Sequence, residues 1–137
     1  MTLNEFEKRW LAAFAEGISK KQLEKYVVSR GNHIWHLFSW ELLPEGSYLK
    51  GDAAREAYDH ISHYERDSAL FIEPFGKRHP ESFSMTWQES SAQQLDQRTE
   101  IFVVAEDFSW TYIKTHEGDY CGPYFSARKN KITTITT

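Results

Sequence analysis

A stretch near the C-terminal end, residues 115–125 with the sequence THEGDYCGPYF, holds the residue types most capable of chemistry. It contains the only cysteine, Cys121, with His116 and Glu117 shortly before it. A nearby histidine can favour the nucleophilic thiolate form of a cysteine, and a nearby acid, Glu117 or Asp119, can orient the imidazole. The candidate catalytic group is therefore Cys121 as the nucleophile, His116 as its base and Glu117 as the orienting acid.

The same stretch also predicts a purely structural corner. Proline fixes its own φ and restricts the residue before it, so Gly122-Pro123 predicts a turn after Cys121. The local acids disfavour a thiolate, and the chain carries no known cysteine-enzyme signature. We favour this interpretation, in which Cys121 is a small buried residue and His116 and Glu117 bond the backbone of the corner.

Four of the six histidines form two pairs at a spacing of three, His33 with His36 and His60 with His63. On a strand the first pair would point to opposite faces, whereas a helix would place the second pair on one face. Two ligands make only half of a zinc site, and exposed histidines at a helix end explain the second pair better. Neither a metal nor a cofactor is predicted, because phosphate-loop, dinucleotide-binding and HExxH motifs do not occur in the sequence.

The N-terminal half predicts mainly helices. Capping boxes and helical apolar spacing predict helices over residues 3–16 and 20–29, and Asp52 is a candidate cap for a third helix. Between them, residues 33–40, HIWHLFSW, are apolar on both alternating faces. This pattern predicts a central strand, with a buried helical turn as the alternative.

The C-terminal half predicts mainly strands. The predicted strands are 69–72, 83–87, 100–105 and 109–115, with a short helix over 90–97 capped by Ser90. A tight turn at Glu106-Asp107 predicts that the last two strands form an antiparallel hairpin. The expected fold is α+β, with N-terminal helices packed on one face of a mostly antiparallel sheet. Residues 1–137 are expected to form a single globular domain, with a frayed tail or an added edge strand from about residue 126.

The composition and net charge of the chain restrict the classes of partner that we expect it to bind. The chain of 137 residues has a net charge of −4 and is rich in aromatic residues, with five Trp, seven Tyr and nine Phe. The mild acidity argues against nucleic-acid binding and would suit a basic protein partner. A single cysteine fits a reducing compartment, and the charged start and the lack of a long apolar run argue against a signal peptide or a membrane span. We therefore expect a cytoplasmic protein that binds neither nucleic acid nor membrane.

Three segments together resemble a known family. They are WHLFSW at 35–40, GDAAREAYD at 51–59 and FSWTYIKTHEGDYCGPYF at 108–125. Their order and spacing are similar to a family of small bacterial proteins described as domain of unknown function 4275. The resemblance implies a bacterial, cytoplasmic, single-domain protein, and it implies no activity.

Taken together, these observations favour a non-enzymatic protein-binding module. Its most concrete form is an immunity or antitoxin-like protein that neutralises a basic toxin, since an acidic surface with Tyr and Trp contacts would suit such a partner. One alternative is a small cysteine-dependent enzyme that uses Cys121 with His116. Another is a module with a small-molecule pocket.

Overall fold

The computed structural model describes residues 3–26, 36–44, 46–73, 81–117 and 121–128. The helices are α1 Leu3–Phe14, α2 Lys20–Tyr26, α3 His36–Ser39, α4 Asp52–Asp59, α5 His63–Asp67 and α6 Ala92–Leu95. The strands are β1 Tyr48–Lys50, β2 Leu70–Glu73, β3 Glu81–Phe83, β4 Ile101–Val104, β5 Trp110–Lys114 and β6 Tyr124–Ala127.

The strands form a six-stranded sheet in the order β1-β6-β5-β4-β2-β3, and every neighbouring pair is antiparallel. The predicted α+β class is confirmed. The predicted hairpin is also confirmed, because β4 pairs with β5 in a register that places Ile101 opposite Lys114. The amide of Ala105 donates to the carbonyl of Trp110 at 3.0 Å and closes the hairpin at its turn.

One face of the sheet is covered by α1. Phe6 and Trp10 lie four residues apart, which places them on the same side of the helix, and both are buried. The Phe6 ring stacks on Phe102 of β4 with 6.4 Å between centroids, and Trp10 Nε1 donates to Thr111 Oγ1 at 3.1 Å. Burying such aromatic side chains contributes on the order of 2–3 kcal/mol each, which anchors the N-terminal helix to the sheet.

The other face has its own cover, which the sequence did not predict. Buried residues of α4, including Tyr58, and of α6, including Leu95, form one apolar cluster with Trp110 and Tyr112 of β5. The Tyr58 and Tyr112 rings lie 4.7 Å apart. This second layer explains why the central strands β4 and β5 are apolar on both faces.

The predicted strand at residues 33–40 is wrong where the structure describes it. Residues His36–Ser39 form the short helix α3, while residues 33–35 lie outside the described part of the chain. Leu37 and Phe38 are both buried, and the Phe38 ring meets Trp10 edge-on at 5.7 Å. A short run that is apolar all round fits one buried helical turn as well as a strand, and here packing against α1 decides between them.

Other element boundaries also differ from the prediction. α2 is described as far as Tyr26, so predicted residues 27–29 lie outside the described chain. The strand predicted over 83–87 ends at Phe83 instead. Two helix caps shift by one residue, because Gly51 precedes α4 and Ser91, rather than Ser90, accepts from the Gln94 amide.

The last strand corrects the predicted tail. β6 extends to Ala127 and lies between β1 and β5, so Ser126 and Ala127 are buried residues of the sheet. Residues 126 and 127 therefore do not belong to a frayed tail, and residues 129–137 of the predicted tail lie outside the described chain. Within the described part of the chain, no helix is long and apolar enough to cross a membrane.

Candidate functional site

The thiol of Cys121 forms a hydrogen bond with a carboxylate. Cys121 Sγ donates to Glu117 Oε2 at 3.2 Å. Burial raises the pKa of Cys121 to about 11, and the hydrogen bond and negative charge of Glu117 act in the same direction. At neutral pH only about one thiol in ten thousand would be a thiolate, so the arrangement favours a protonated cysteine.

His116 lies between two carboxylates. Its Nδ1 is 3.7 Å from Glu100 Oε2, and its Nε2 is 4.0 Å from Glu117 Oε1. The side chain of Glu100, just before β4, has 0% exposure. Sequence reasoning missed Glu100, although the predicted hairpin placed the start of β4 beside the end of β5.

The hydroxyl of Thr115 holds the backbone of the corner. Thr115 Oγ1 donates to the carbonyl of Cys121 at 2.6 Å and accepts from the amide of Glu117 at 3.3 Å. Gly122 has φ +98°, and a Cβ atom there would lie 2.9 Å from the ring of Tyr124. The corner therefore depends on a residue without a side chain at position 122 and on the hydroxyl of Thr115.

The described histidines each have a different local environment. His36 Nδ1 lies 2.9 Å from the carbonyl of Tyr26, and His60 Nδ1 lies 2.8 Å from the carbonyl of Glu56. The ring of His63 instead lies 5.7 Å from Trp87. Among the residues that the structure describes, no group of three or more His, Cys, Asp or Glu could hold a metal ion.

A surface depression lies between α5 and the β4–β5 turn. We call it the acidic groove; it has a volume of about 360 Å³ and is lined by Tyr64, Glu65, Ser68, Ala105, Glu106 and Asp107. Tyr64 is 76% exposed. Sequence reasoning identified the turn at Glu106-Asp107 but could not place it beside α5, because Glu65 and Glu106 lie 41 positions apart in the chain.

A larger cavity, of about 730 Å³, lies near the ends of β2 and β3. Its lining includes Glu73, Phe83, Arg98 and the buried Glu100. Arg98 pairs with Glu73, and its guanidinium lies 4.7 Å above the centre of the Phe83 ring. Arg98 is therefore already engaged by two residues of the cavity wall, so it supplies no ready site for an anionic ligand.

Comparison with known proteins agrees with the resemblance seen in the sequence. The model of one protein family matches residues 3–125, which is most of the chain. Comparisons with curated proteins and with solved structures found no match. The matched range includes all three segments on which the resemblance was based, and the chain belongs to the family described as Domain of unknown function (DUF4275).

Proposed function

We propose that this protein is a non-enzymatic protein-binding module of the immunity or antitoxin kind, which neutralises a basic toxin by binding it. The observation that carries the proposal is the acidic groove between α5 and the β4–β5 turn. It brings three carboxylates, Glu65, Glu106 and Asp107, next to the exposed ring of Tyr64. Tyrosine is enriched among the residues that dominate binding energy, and carboxylates attract Lys and Arg side chains.

The described lining of the acidic groove contains no Lys, Arg or His. Arg9 of α1 and Arg66 of α5 each lie over an aromatic ring. The guanidinium of Arg9 lies 4.2 Å from the centre of the Phe108 ring, and buried Arg66 lies 4.8 Å from the centre of the Tyr58 ring. The lining of the groove itself is acidic, which suits a cationic partner surface and would accelerate its encounter at low salt.

The state of the thiol supports a binding protein over the cysteine-dependent enzyme. A nucleophilic cysteine needs a lowered pKa and a base that accepts its proton. Here burial and Glu117 raise the pKa of Cys121, and Glu117 accepts the bond from the thiol. A cysteine mechanism would have to overcome both effects.

The proposal can be tested by reversing the charge of the groove. The tagged protein would be used to capture its partner from the cells that naturally produce it, and the partner gene would then be expressed with and without this protein. We expect a basic partner that arrests growth when expressed alone and is harmless in the presence of this protein. The double variant Glu106→Lys/Asp107→Lys should weaken binding at least about tenfold and abolish protection.

A matched control carries the same change of net charge elsewhere. Glu16 and Glu24 are exposed residues of the N-terminal segment, so Glu16→Lys/Glu24→Lys should leave both binding and protection intact. Equal loss in both double variants would point to an effect of net charge alone. A partner that still binds the groove variant with full affinity would overturn the proposal.

A further inference from the structure

We infer that Trp87 is a second contact point for the basic partner, held in place before binding by the buried Arg66; this inference rests on the proposed function. Trp87 is 41% exposed, although burying a tryptophan ring stabilises a protein by removing a large apolar surface from water. An exposed tryptophan on a well-ordered turn is the kind of residue that contributes most to protein interfaces.

Several hydrogen bonds that involve side chains stabilise the turn that carries Trp87. The amide of Thr86 donates to Glu89 Oε2 at 3.2 Å, and the amide of Glu89 donates to Thr86 Oγ1 at 3.3 Å. Ser90 donates to the carbonyl of Thr86 through its amide and to the carbonyl of Trp87 through its hydroxyl. A side chain that is ordered before binding loses less entropy when it binds.

Arg66 connects this turn to α5. Arg66 is 4% exposed, and its Nη2 donates to the carbonyl of Trp87 at 2.9 Å. Its guanidinium lies over the Tyr58 ring and 3.8 Å from Asp59 Oδ1. Arg66 therefore contacts both α4 and the turn that carries Trp87, which makes it a positioning residue for Trp87.

Trp87 and the acidic groove both border α5. Its ring lies 5.7 Å from the ring of His63, and the next residue along the helix is Tyr64, which lines the groove. We call His63, Tyr64 and Trp87 the aromatic ridge. The ridge and the groove thus both border α5, and between them they offer two exposed aromatic rings and the carboxylates that line the groove.

The occupant of this surface is a basic segment of the partner that carries at least two Arg or Lys side chains. One cation would lie over the face of Trp87 or Tyr64, where the attraction to an aromatic ring operates. Another would reach the carboxylates of Glu106 and Asp107 in the groove. Charge complementarity selects this occupant, because the carboxylates that line the groove would repel an acidic segment and attract a basic one.

The chain offers a control of the same residue type. Trp40 is 49% exposed, and its ring lies 5.6 Å from Tyr26 at the end of α2. It does not line the acidic groove. Trp40 therefore matches Trp87 in type and exposure and differs from it in surroundings.

The experiment is a titration followed by the indole N–H signals in a ¹H–¹⁵N NMR spectrum. The probe is a short amidated peptide of alternating glycine and arginine, and its glutamate analogue is the control. We expect the arginine peptide to shift the Trp87 signal saturably, with an effect that salt weakens, and to leave the Trp40 signal unmoved. Trp87→Ala should weaken the peptide at least about fivefold, and Trp40→Ala should not. Equal shifts at Trp40 and Trp87, or an equal response to the glutamate peptide, would overturn the inference.

The positioning role of Arg66 needs its own variant. Arg66→Met keeps an unbranched apolar stem and removes the guanidinium that donates to the Trp87 carbonyl, so it should move the Trp87 indole signal in the free protein and weaken the binding of the peptide. If this variant does not fold, Ser90→Ala removes another bond to the same carbonyl and should move the same signal. An unchanged Trp87 signal in the folded variant would show that Arg66 has no such role.

The same variants separate this inference from the proposed function. If Trp87→Ala still binds the captured partner fully while the groove double variant does not, Trp87 is not a contact point and the proposed function stands. If the arginine peptide binds at Trp87 but the captured partner is not a toxin, the neutralising function fails. In that case the ridge would remain a site for basic segments.

Discussion

The corner at residues 115–125 and the aromatic ridge with its acidic groove show opposite relations between residue type and environment. The corner contains a thiol, an imidazole and a carboxylate, yet Cys121 is bonded to Glu117 with its pKa raised to about 11. In the ridge and groove, by contrast, Tyr64 and Trp87 are exposed to solvent, and carboxylates line the groove. The comparison teaches that reactive residue types identify candidates, whereas burial and hydrogen bonding decide what those residues do.

Two tryptophans show the same contrast. Trp110 of β5 has 0% exposure and stacks on Phe125, the last residue of the corner, with 6.3 Å between ring centroids. Trp87 is held in an exposed turn by bonds to its own backbone carbonyl. Trp110 therefore belongs to the packing that supports the corner, whereas Trp87 belongs to the surface.

The largest effect is expected from removing Trp110. Trp110→Ala would leave a cavity among Tyr58, Tyr112 and Phe125, and should reduce the free energy of unfolding by about 3–5 kcal/mol. Urea denaturation followed by circular dichroism measures this change. Trp40→Ala is the control and should shift the midpoint little, since Trp40 is half exposed. An unchanged midpoint for Trp110→Ala would break the contrast between the two regions.

A somewhat smaller loss is expected from filling the corner. Gly122→Val places a branched side chain at φ +98° and drives its Cβ against the Tyr124 ring, so it should cost about 2–4 kcal/mol. Gly17→Val is the matched control, because Gly17 has φ +94° and nothing lies within 4 Å of its added Cβ. The difference between the two unfolding free energies measures the clash with Tyr124. Equal losses would mean that backbone strain alone makes glycine necessary.

Sequence reasoning succeeded where the pattern was local and repeated. The spacing of Phe6 and Trp10 predicted α1, and the apolar runs on either side of Glu106-Asp107 predicted the β4–β5 hairpin. It failed where distant packing decides, as in α3, whose Leu37 and Phe38 are buried beneath α1. The last strand failed for a related reason, because β6 gains its place from pairing with β1 and β5 rather than from its own composition.

The candidate sites follow the same rule. Cys121 and Glu117 are four residues apart, so the hydrogen bond between them is a local contact within the segment that the sequence singled out. Glu100, which lies 3.7 Å from His116, and the acidic groove both depend on contacts between elements far apart in the chain. Nothing in the local pattern around Trp87 distinguished it from a core residue, since Phe83, Met85 and Trp87 alternate as in a half-buried strand.

The reactivity of the thiol tests the corner directly. With a pKa near 11 against 9.0 for an ordinary thiol, Cys121 should react with iodoacetamide about a hundredfold more slowly at pH 7 than an unperturbed cysteine. The rate should rise as pH increases towards 11. Since the folded pKa is raised, the protonated thiol stabilises the fold below the unfolded pKa, and this contribution is lost as pH rises through the folded pKa.

Variants assign the cause of this slow reaction. Glu117→Ala removes both the acceptor and the negative charge, so it should lower the pKa of Cys121 and speed alkylation. His116→Ala should not slow the reaction. Rapid alkylation of the wild-type protein at pH 6 that is slowed by His116→Ala would make Cys121 a nucleophile and would favour the enzyme alternative.

The smallest change in stability is expected at the aromatic ridge, and that small change is itself informative. Tyr64→Ala removes a ring that is 76% exposed, so its unfolding free energy should stay within about 0.5 kcal/mol of the wild-type value. Trp87→Ala should lower the free energy of unfolding only slightly more, because Arg66 and Ser90 donate to the Trp87 carbonyl and these hydrogen bonds do not involve the Trp87 side chain. Urea midpoints of both variants, measured beside their affinity for the arginine peptide, separate folding from binding. A ring that contributes to binding and not to folding should lower affinity at an unchanged midpoint, whereas a loss of about 2 kcal/mol or more in stability would place Trp87 in the core with Trp110.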